Sequence, residues 1–254
     1  MNYKVKFGDI WKLGNHRLLC GDSTEPAMME RFLIGQNPAL CVTDPPYGVN
    51  YKARVSKPAL YDLKVKNDHV VSWGDAFRLS KAPVLYAWFG FKGFDIVSRA
   101  INDAGYDVRQ MLIWVKNHFS LQRFFYHLQH EQCLLAVRHD VKQATTWTGD
   151  RKQRSVWFVN GVRPGQRIHP AEKPTGVYTI PIINHTREGD IVVDLFAGSG
   201  VLFEACEALQ RVGLGIELCP DVCFRIIGRM ERLGLEVSKE INILDELETV
   251  LACS

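Results

Sequence analysis

The 254-residue sequence has no Cys-x-x-Cys pair, no internal repeat and no low-complexity segment. It has no apolar run long enough to cross a bilayer, and its first residues lack the apolar core and cleavage pattern of a secretory leader. Each absence removes a class of protein. The seven cysteines are an odd number, and Cys41, Cys133 and Cys206 sit inside apolar runs. They read as buried, reduced thiols of a cytoplasmic protein rather than as a disulfide framework. Cys219 and Cys223 share one helical face, but no His or Cys cluster accompanies them, so no metal site is expected. A large excess of one charge sign is absent as well, with 31 Lys and Arg against 28 Asp and Glu. A net charge of +3 is weak support for a polyanionic partner, and its distribution along the chain says more than its total. With 46% hydrophobic and 23% charged residues the chain predicts one globular α/β domain over residues 1–254.

What is present begins with Val42-Thr43-Asp44-Pro45-Pro46-Tyr47-Gly48. The short apolar run Ala39–Val42 reads as a buried strand ending in a proline-rich turn. Two prolines fix φ and donate no backbone hydrogen bond, so the chain leaves the strand stiff and with bare carbonyls. Asp44 and the Pro45 carbonyl can accept both hydrogens of an amino group, and Tyr47 offers a flat face for stacking. Together they would receive a planar ring bearing an NH2, such as a nucleobase taken out of its stack. An ordinary strand-to-loop turn would use the same residue types.

A second motif lies far downstream, at Gly189-Asp190-Ile191-Val192-Val193-Asp194-Leu195-Phe196-Ala197-Gly198-Ser199-Gly200. A β-branched strand ends at Asp194, a tight glycine turn follows, and Val201–Leu209 has helical apolar spacing. Glycines here let backbone approach a ligand at a helix start. The dinucleotide fingerprint needs a third glycine at position 203, which is Phe203, so a nicotinamide or flavin site is disfavoured. The next strand, Gly213–Leu218, carries Glu217 near its end, a common way to hold ribose hydroxyls. A plain α/β crossover explains the glycines but less readily the acid.

In this order, Asp-Pro-Pro-Tyr before Asp-Leu-Phe-Ala-Gly-Ser-Gly, the two motifs resemble those of the amino-DNA methyltransferases that use S-adenosylmethionine. The order is that of their permuted β group, in which the catalytic half precedes the cofactor motif. The resemblance spans roughly residues 10–234. It implies a Rossmann-like, doubly wound, mostly parallel seven-stranded sheet of class I methyltransferase type, with a small target-recognition insertion. It also implies methyl transfer to the exocyclic amine of a base in double-stranded DNA, with Asp44, Pro45, Pro46 and Tyr47 as the catalytic segment. Asp at the first motif position favours adenine N6, with cytosine N4 as the alternative. An RNA methyltransferase, or a non-catalytic DNA-binding protein with a relic cofactor site, would share these residues. For the cofactor it points to Asp22, Asp44, His169, Lys173, Asp194, Phe196, Ala197, Gly198, Ser199, Gly200, Glu217 and Leu218. His169-Pro170-Ala171-Glu172-Lys173-Pro174 resembles the family segment lining the methionine end, where Lys173 would pair with the cofactor carboxylate. Leu112–Lys116 and His130-Glu131 also match family segments, without requiring a catalytic role. A homodimer, a cognate restriction enzyme and a prokaryotic or phage origin are further implications.

The rest of the chain fills in around these motifs. Residues 3–22 read as a hairpin, Tyr3 to Trp11 and Arg17 to Cys20, leading to Asp22, which is expected to touch cofactor; Asp22 or Ser23 would also serve as the cap of a helix from Pro26 to Ile34, and both roles can hold at once. The polar stretch Val49–Asn67, with Lys52, Arg54, Tyr51 and Tyr61, suits either a displaced nucleic-acid strand or a solvated loop. Helices are predicted over Asp68–Leu79, Phe94–Ala104, Val177–His185 and Pro220–Leu233, and strands over Pro83–Phe89, Val108–Val115 and Glu131–Val137. Between them, residues 138–168 are rich in arginine and lysine, and Arg138, Arg151, Lys152 and Arg154 are candidate DNA contacts of a target-recognition segment; a solvated basic face is the plainer reading. The tail from Glu236 is weakly amphipathic and lies outside the resemblance.

Overall fold

Strand β4 (Val84–Phe89) shows why the sheet is sandwiched: Val84, Tyr86 and Trp88 join one apolar cluster while Leu85, Ala87 and Phe89 join another. Successive side chains of a strand point to opposite faces, so a wholly apolar strand must be covered on both. The computed structural model describes residues 3–47, 73–121, 125–142, 146–162 and 172–245. Among these the strands are β1 (Asp9–Leu13), β2 (His16–Cys20), β3 (Leu40–Thr43), β4, β5 (Tyr106–Ser120), β6 (Leu128–Arg138), β7 (Val156–Phe158), β8 (Ile191–Asp194), β9 (Val212–Glu217) and β10 (Val237–Asn242). The helices are α1 (Pro26–Phe32), α2 (Gly74–Leu79), α3 (Phe94–Asp103), α4 (Gly176–His185), α5 (Val201–Ala208) and α6 (Pro220–Arg232). Apolar residues of α1, α2 and α3 cover one face; those of α4, α5 and α6 cover the other.

The strands form one sheet in the order β10-β1-β2-β9-β8-β3-β4-β6-β5-β7. Five of the nine pairings are parallel. The inner seven, β2 to β5 in that order, are the expected doubly wound class I sheet, and β10, β1 and β7 widen it to ten. β8 and β3 lie side by side and parallel, with Leu40 opposite Val192. From β8 the chain crosses through α5 to β9 on one side; from β3 it goes to β4 on the other. Such a reversal leaves a crevice past the strand ends, which is where open α/β sheets bind ligands.

Several expected bounds shift. The first strand begins at Asp9 rather than Tyr3, because Tyr3 turns aside to stack edge-on against Trp11 (5.2 Å) and to donate its hydroxyl to Glu231 (2.8 Å). β5 runs five residues past Val115, to Ser120. The basic segment contains β7, parallel to β5 with Trp114 opposite Trp157. The tail supplies edge strand β10, antiparallel to β1, where Lys239 reaches Asp9 (2.7 Å) and Asn242 donates to the same carboxylate (2.6 Å). Of the helix expected over Asp68–Leu79, Gly74–Leu79 is observed and 68–72 fall outside the described residues.

Candidate active site

Thr43 is the last residue of β3, and it ties the two motifs together. Its hydroxyl donates to Asp194 Oδ1 (2.8 Å) at the end of β8 and accepts from the Leu195 N–H (3.2 Å). A second tie runs through Trp73, whose indole donates to the Pro46 carbonyl (3.0 Å) while its ring meets Phe196 edge-on (4.8 Å). The proline turn and the glycine turn are therefore held as one rigid unit at the crevice.

Asp44 follows Thr43. Its Oδ1 accepts from the Tyr47 hydroxyl (2.6 Å) and its Oδ2 from Lys173 Nζ (2.5 Å). The Lys173 ammonium also contacts Tyr47 Oη (3.2 Å) and Glu131 Oε2 (3.1 Å), and Glu131 Oε1 meets Lys116 (2.5 Å). Asp44, Lys173, Glu131 and Lys116 thus form a row of alternating charge. The Trp88 ring lies 5.3 Å from Lys173 and the Trp114 ring 5.1 Å from Lys116, favourable cation–π placements. Burial raises the Asp44 pKa, against the opposing pull of Lys173. Burial would also raise that of Glu131, but two lysines overcome it and hold the carboxyl down to about 2. Lys173 is pushed upward: burial opposes its charge, and Asp44 and Glu131 more than restore it.

Across the crevice, Gly200 adopts φ +77° just before α5, and Gly198 adopts φ +52°. A Cβ at Gly198 would meet only the Phe196 carbonyl, at 3.7 Å, so this side of the turn is open. Beneath it there is no room: a Cβ at Gly215 would lie 2.5 Å from Phe203 Cζ. Glu217, half-buried at the end of β9, accepts from the N–H groups of Gly198 (3.1 Å) and Cys219 (2.8 Å). Leu218, beside it, and Phe196 are also half-buried. Asp22 lies one strand over, past Cys20, which pairs with Glu217. An open glycine turn, half-exposed carboxylates and an aromatic ring fit a nucleoside-bearing cofactor.

Not every expected residue takes its expected place. Asp194 is wholly buried and accepts from Thr43, Tyr178 (3.0 Å) and the Phe196 N–H (3.1 Å), so it braces the turn instead of facing a ligand. Lys173 pairs with Asp44 and Glu131 rather than projecting toward a cofactor carboxylate. Asp22 accepts from the Thr24 N–H (2.9 Å) and hydroxyl (2.7 Å), while the N-cap of α1 is Glu25, so neither Asp22 nor Ser23 caps that helix. Arg138 sits at the opposite end of the sheet: β6 is antiparallel to β4, and Arg138 bonds Asp140 and the Lys81 carbonyl beside the start of β4. That geometry removes it from the crevice. Arg151, Lys152 and Arg154 are exposed, but their segment is anchored on the last turn of α4, where Thr148 N–H donates to Asn184 (2.7 Å) and His185 to Thr146 (2.7 Å). His169, Lys52 and Arg54 fall outside the described residues, as does the rest of the loop 48–72.

Other residues enter unannounced. Arg229 of α6 binds Glu204 of α5, Glu172 (2.9 Å) and the Ser199 carbonyl (3.0 Å), locking the Glu172-Lys173 segment to the glycine turn. Glu131 and Lys116 complete the charged row. The Leu112–Lys116 and His130-Glu131 matches hinted at this. Among the described residues no group of three or more His, Cys, Asp or Glu could hold a metal, and no helix is long and apolar enough to cross a membrane.

A doubly wound sheet with a nucleoside cradle and an Asp-Pro-Pro-Tyr turn at its switch point defines a class I S-adenosylmethionine-dependent methyltransferase. Residues 39–226 match the N6/N4 family model described as DNA methylase, and the chain belongs to that family. It is a DNA methyltransferase using S-adenosylmethionine. Among its relatives is the type II methyltransferase M.HpaI of Haemophilus parainfluenzae, 25% identical over 80% of this chain and 70% of that protein. The solved structure of M1.HpyAVI with S-adenosylmethionine shares the fold at TM-score 0.63 and 21% identity, covering 84% of this chain and 98% of that one. So does the cytosine-N4-specific PvuII DNA methyltransferase, at TM-score 0.61 and 17% identity, covering 89% and 94%.

Proposed function

We propose that the enzyme methylates the N6 amine of an adenine flipped out of a defined site in double-stranded DNA. The observation carrying this reading is the Asp44 carboxylate beside the Pro45 carbonyl, which has no hydrogen-bond partner among the described residues, on a turn braced against the glycine turn by Thr43. A base amine is a poor nucleophile because its lone pair is delocalised into the ring. Accepting its two hydrogens at Asp44 and Pro45 localises that lone pair and aims it, and such positioning supplies much of the acceleration. S-adenosylmethionine, when bound, supplies an electrophilic methyl group. Glu217 and Asp22 would take its ribose and adenosine polar groups, Phe196 and Leu218 would line the ring, and Ala197 to Gly200 would cradle the remainder. Tyr47 would offer its ring face to the flipped base.

Asp at position 44 supports adenine, since the family resemblance associates that residue with N6. Cytosine N4 is the second reading, because the same hydrogen-bond pair would receive its amine equally well. We also infer that the segment 138–168, apart from Arg138 and the turn carrying Arg151, Lys152 and Arg154, contributes to target recognition within a single domain. The relative's type II designation supports a site-specific enzyme with a cognate restriction endonuclease. Purified protein, methyl-labelled S-adenosylmethionine and unmethylated genomic DNA, followed by nucleoside mass spectrometry, test the proposal. N6-methyladenine is expected; N4-methylcytosine would move the reading to the second base, and no methylated nucleoside would refute both.

A further inference from the structure

In the free enzyme both oxygens of Asp44 already have partners, Tyr47 on one and Lys173 on the other. A base amine arriving at Asp44 competes with them for the carboxylate lone pairs, and most strongly with the charged lysine. Lys173 is 6% exposed, and a buried ammonium stripped of its carboxylate is strongly unfavourable. It therefore leaves Asp44 only if a second carboxylate is within reach, and Glu131 Oε2 is 3.1 Å from its Nζ. Glu131 stays in place because Lys116 holds its other oxygen at 2.5 Å. The backbone of Lys173 stays in place because Arg229 fixes the preceding Glu172. Only the lysine side chain needs to move.

We propose that Glu131 is a positioning residue, offering Lys173 a second carboxylate onto which the ammonium steps when a base amine takes its place on Asp44. This deepens the proposed function and rests on its assignment of Asp44 as the amine acceptor. The titratable groups facing Lys173 are Asp44 and Tyr47 from the proline turn and Glu131 and Cys133 from β6, with Lys116 of β5 behind Glu131. Asp194 of β8 and Tyr178 of α4 face Asp44 from the cofactor side. Within this set Glu131 is the carboxylate, other than Asp44, that touches the ammonium. With Gln at 131, Lys173 loses its alternative partner and remains on Asp44.

The test uses Glu131→Gln and the conservative Glu131→Asp in the full chain. In the free protein, carbon-13 NMR of the Asp44 carboxyl should show it titrating at lower pH in Glu131→Gln, since a repelling anion is gone and Lys173 belongs to Asp44 alone. Single-turnover methylation, scored on whichever base the wild type modifies, should fall roughly tenfold, less than the ~10²–10⁴ that a group acting directly as acid or base supplies. Cofactor affinity and the KM for DNA should hold, the acid limb of the rate should move to lower pH, and Glu131→Asp should restore part of the rate. An unmoved Asp44 titration would overturn the inference, as would a rate loss that tracks lost cofactor binding or a lowered melting temperature. If the wild type methylated no base at all, the proposed function would fall, while the titration would still decide the role of Glu131.

Discussion

Replacing Asp194 by Asn should make the protein more stable relative to wild type as the pH rises. Burial raises the pKa of this carboxyl from 3.8 to about 6, although the Phe196 N–H, Thr43 and Tyr178 all favour its ionised form. A carboxyl moved that far is about 3 kcal/mol harder to ionise in the folded chain than in the unfolded one. Because the folded value lies above the unfolded one, the folded state holds the proton longer. The stability associated with that proton is complete below about pH 4 and is lost as the pH rises through about 6. About half of the loss, ~1.4 kcal/mol, falls between pH 5 and pH 7.5. The asparagine amide does not titrate. Its carbonyl can accept from Thr43 and the Phe196 N–H, and the Tyr178 hydroxyl can rotate to accept from its amide, so any fixed offset is on the order of 1 kcal/mol. Urea unfolding of both proteins at pH 5 and pH 7.5 measures the difference between them. It should grow in favour of the Asp194→Asn variant by ~1.4 kcal/mol. A difference that stays constant or shrinks would mean that Asp194 is not the strained anion its surroundings imply.

Three further outcomes follow from the site. Asp44→Ala should lower turnover by roughly 10²–10⁴, while calorimetry finds cofactor affinity retained; a collapse of both would mean that Asp44 belongs to the cofactor site. Gly215→Ala forces a Cβ to 2.5 Å from Phe203 in the fully buried core, and should lower stability by about 1–3 kcal/mol; an unchanged melting temperature would show that the ring can yield. Reversing the charges of Arg151 and Lys152 should change DNA affinity by less than about threefold, because their segment is anchored on the end of α4 remote from Asp44, and a flattened salt dependence would instead place DNA across that end.

The parts of this molecule that were legible in its sequence are those in which chemistry and geometry are local. Asp44-Pro45-Pro46-Tyr47 and Ala197–Gly200 each specify a turn and its donors or acceptors within a few residues, and α6 announces itself with Pro220 at its start and arginines in its last turn. The charged row was not legible. Lys173 and Asp44 are 129 positions apart, and Glu131 reads as a polar residue at a strand end until β6 is known to run antiparallel to β4. The same ignorance of strand direction made Arg138 look like a rim residue when it belongs to the far end. Asp194 misled for a different reason. An acid closing a strand before a glycine turn looks poised for ligand, and only the distant hydroxyls of Thr43 and Tyr178 reveal that it faces inward. Strand β10 reads like a solvated tail because it is an edge, exposed over Ser238 to Glu240, with one lysine guarding it.

The pairing of β1 with β10 brings Asp9 opposite Asn242, so the first and last strands of the described chain lie side by side at one rim of the sheet. A covalent link there would close the chain into a ring around an unchanged interior, and the ring could be opened again in any surface loop. Which half is synthesised first is thus separable from which strands are neighbours. The proline turn can precede the glycine turn along the chain, or follow it, and still meet it across Thr43. Linear order in this architecture is a matter of ancestry, whereas the adjacency of β3 and β8 is what the chemistry requires.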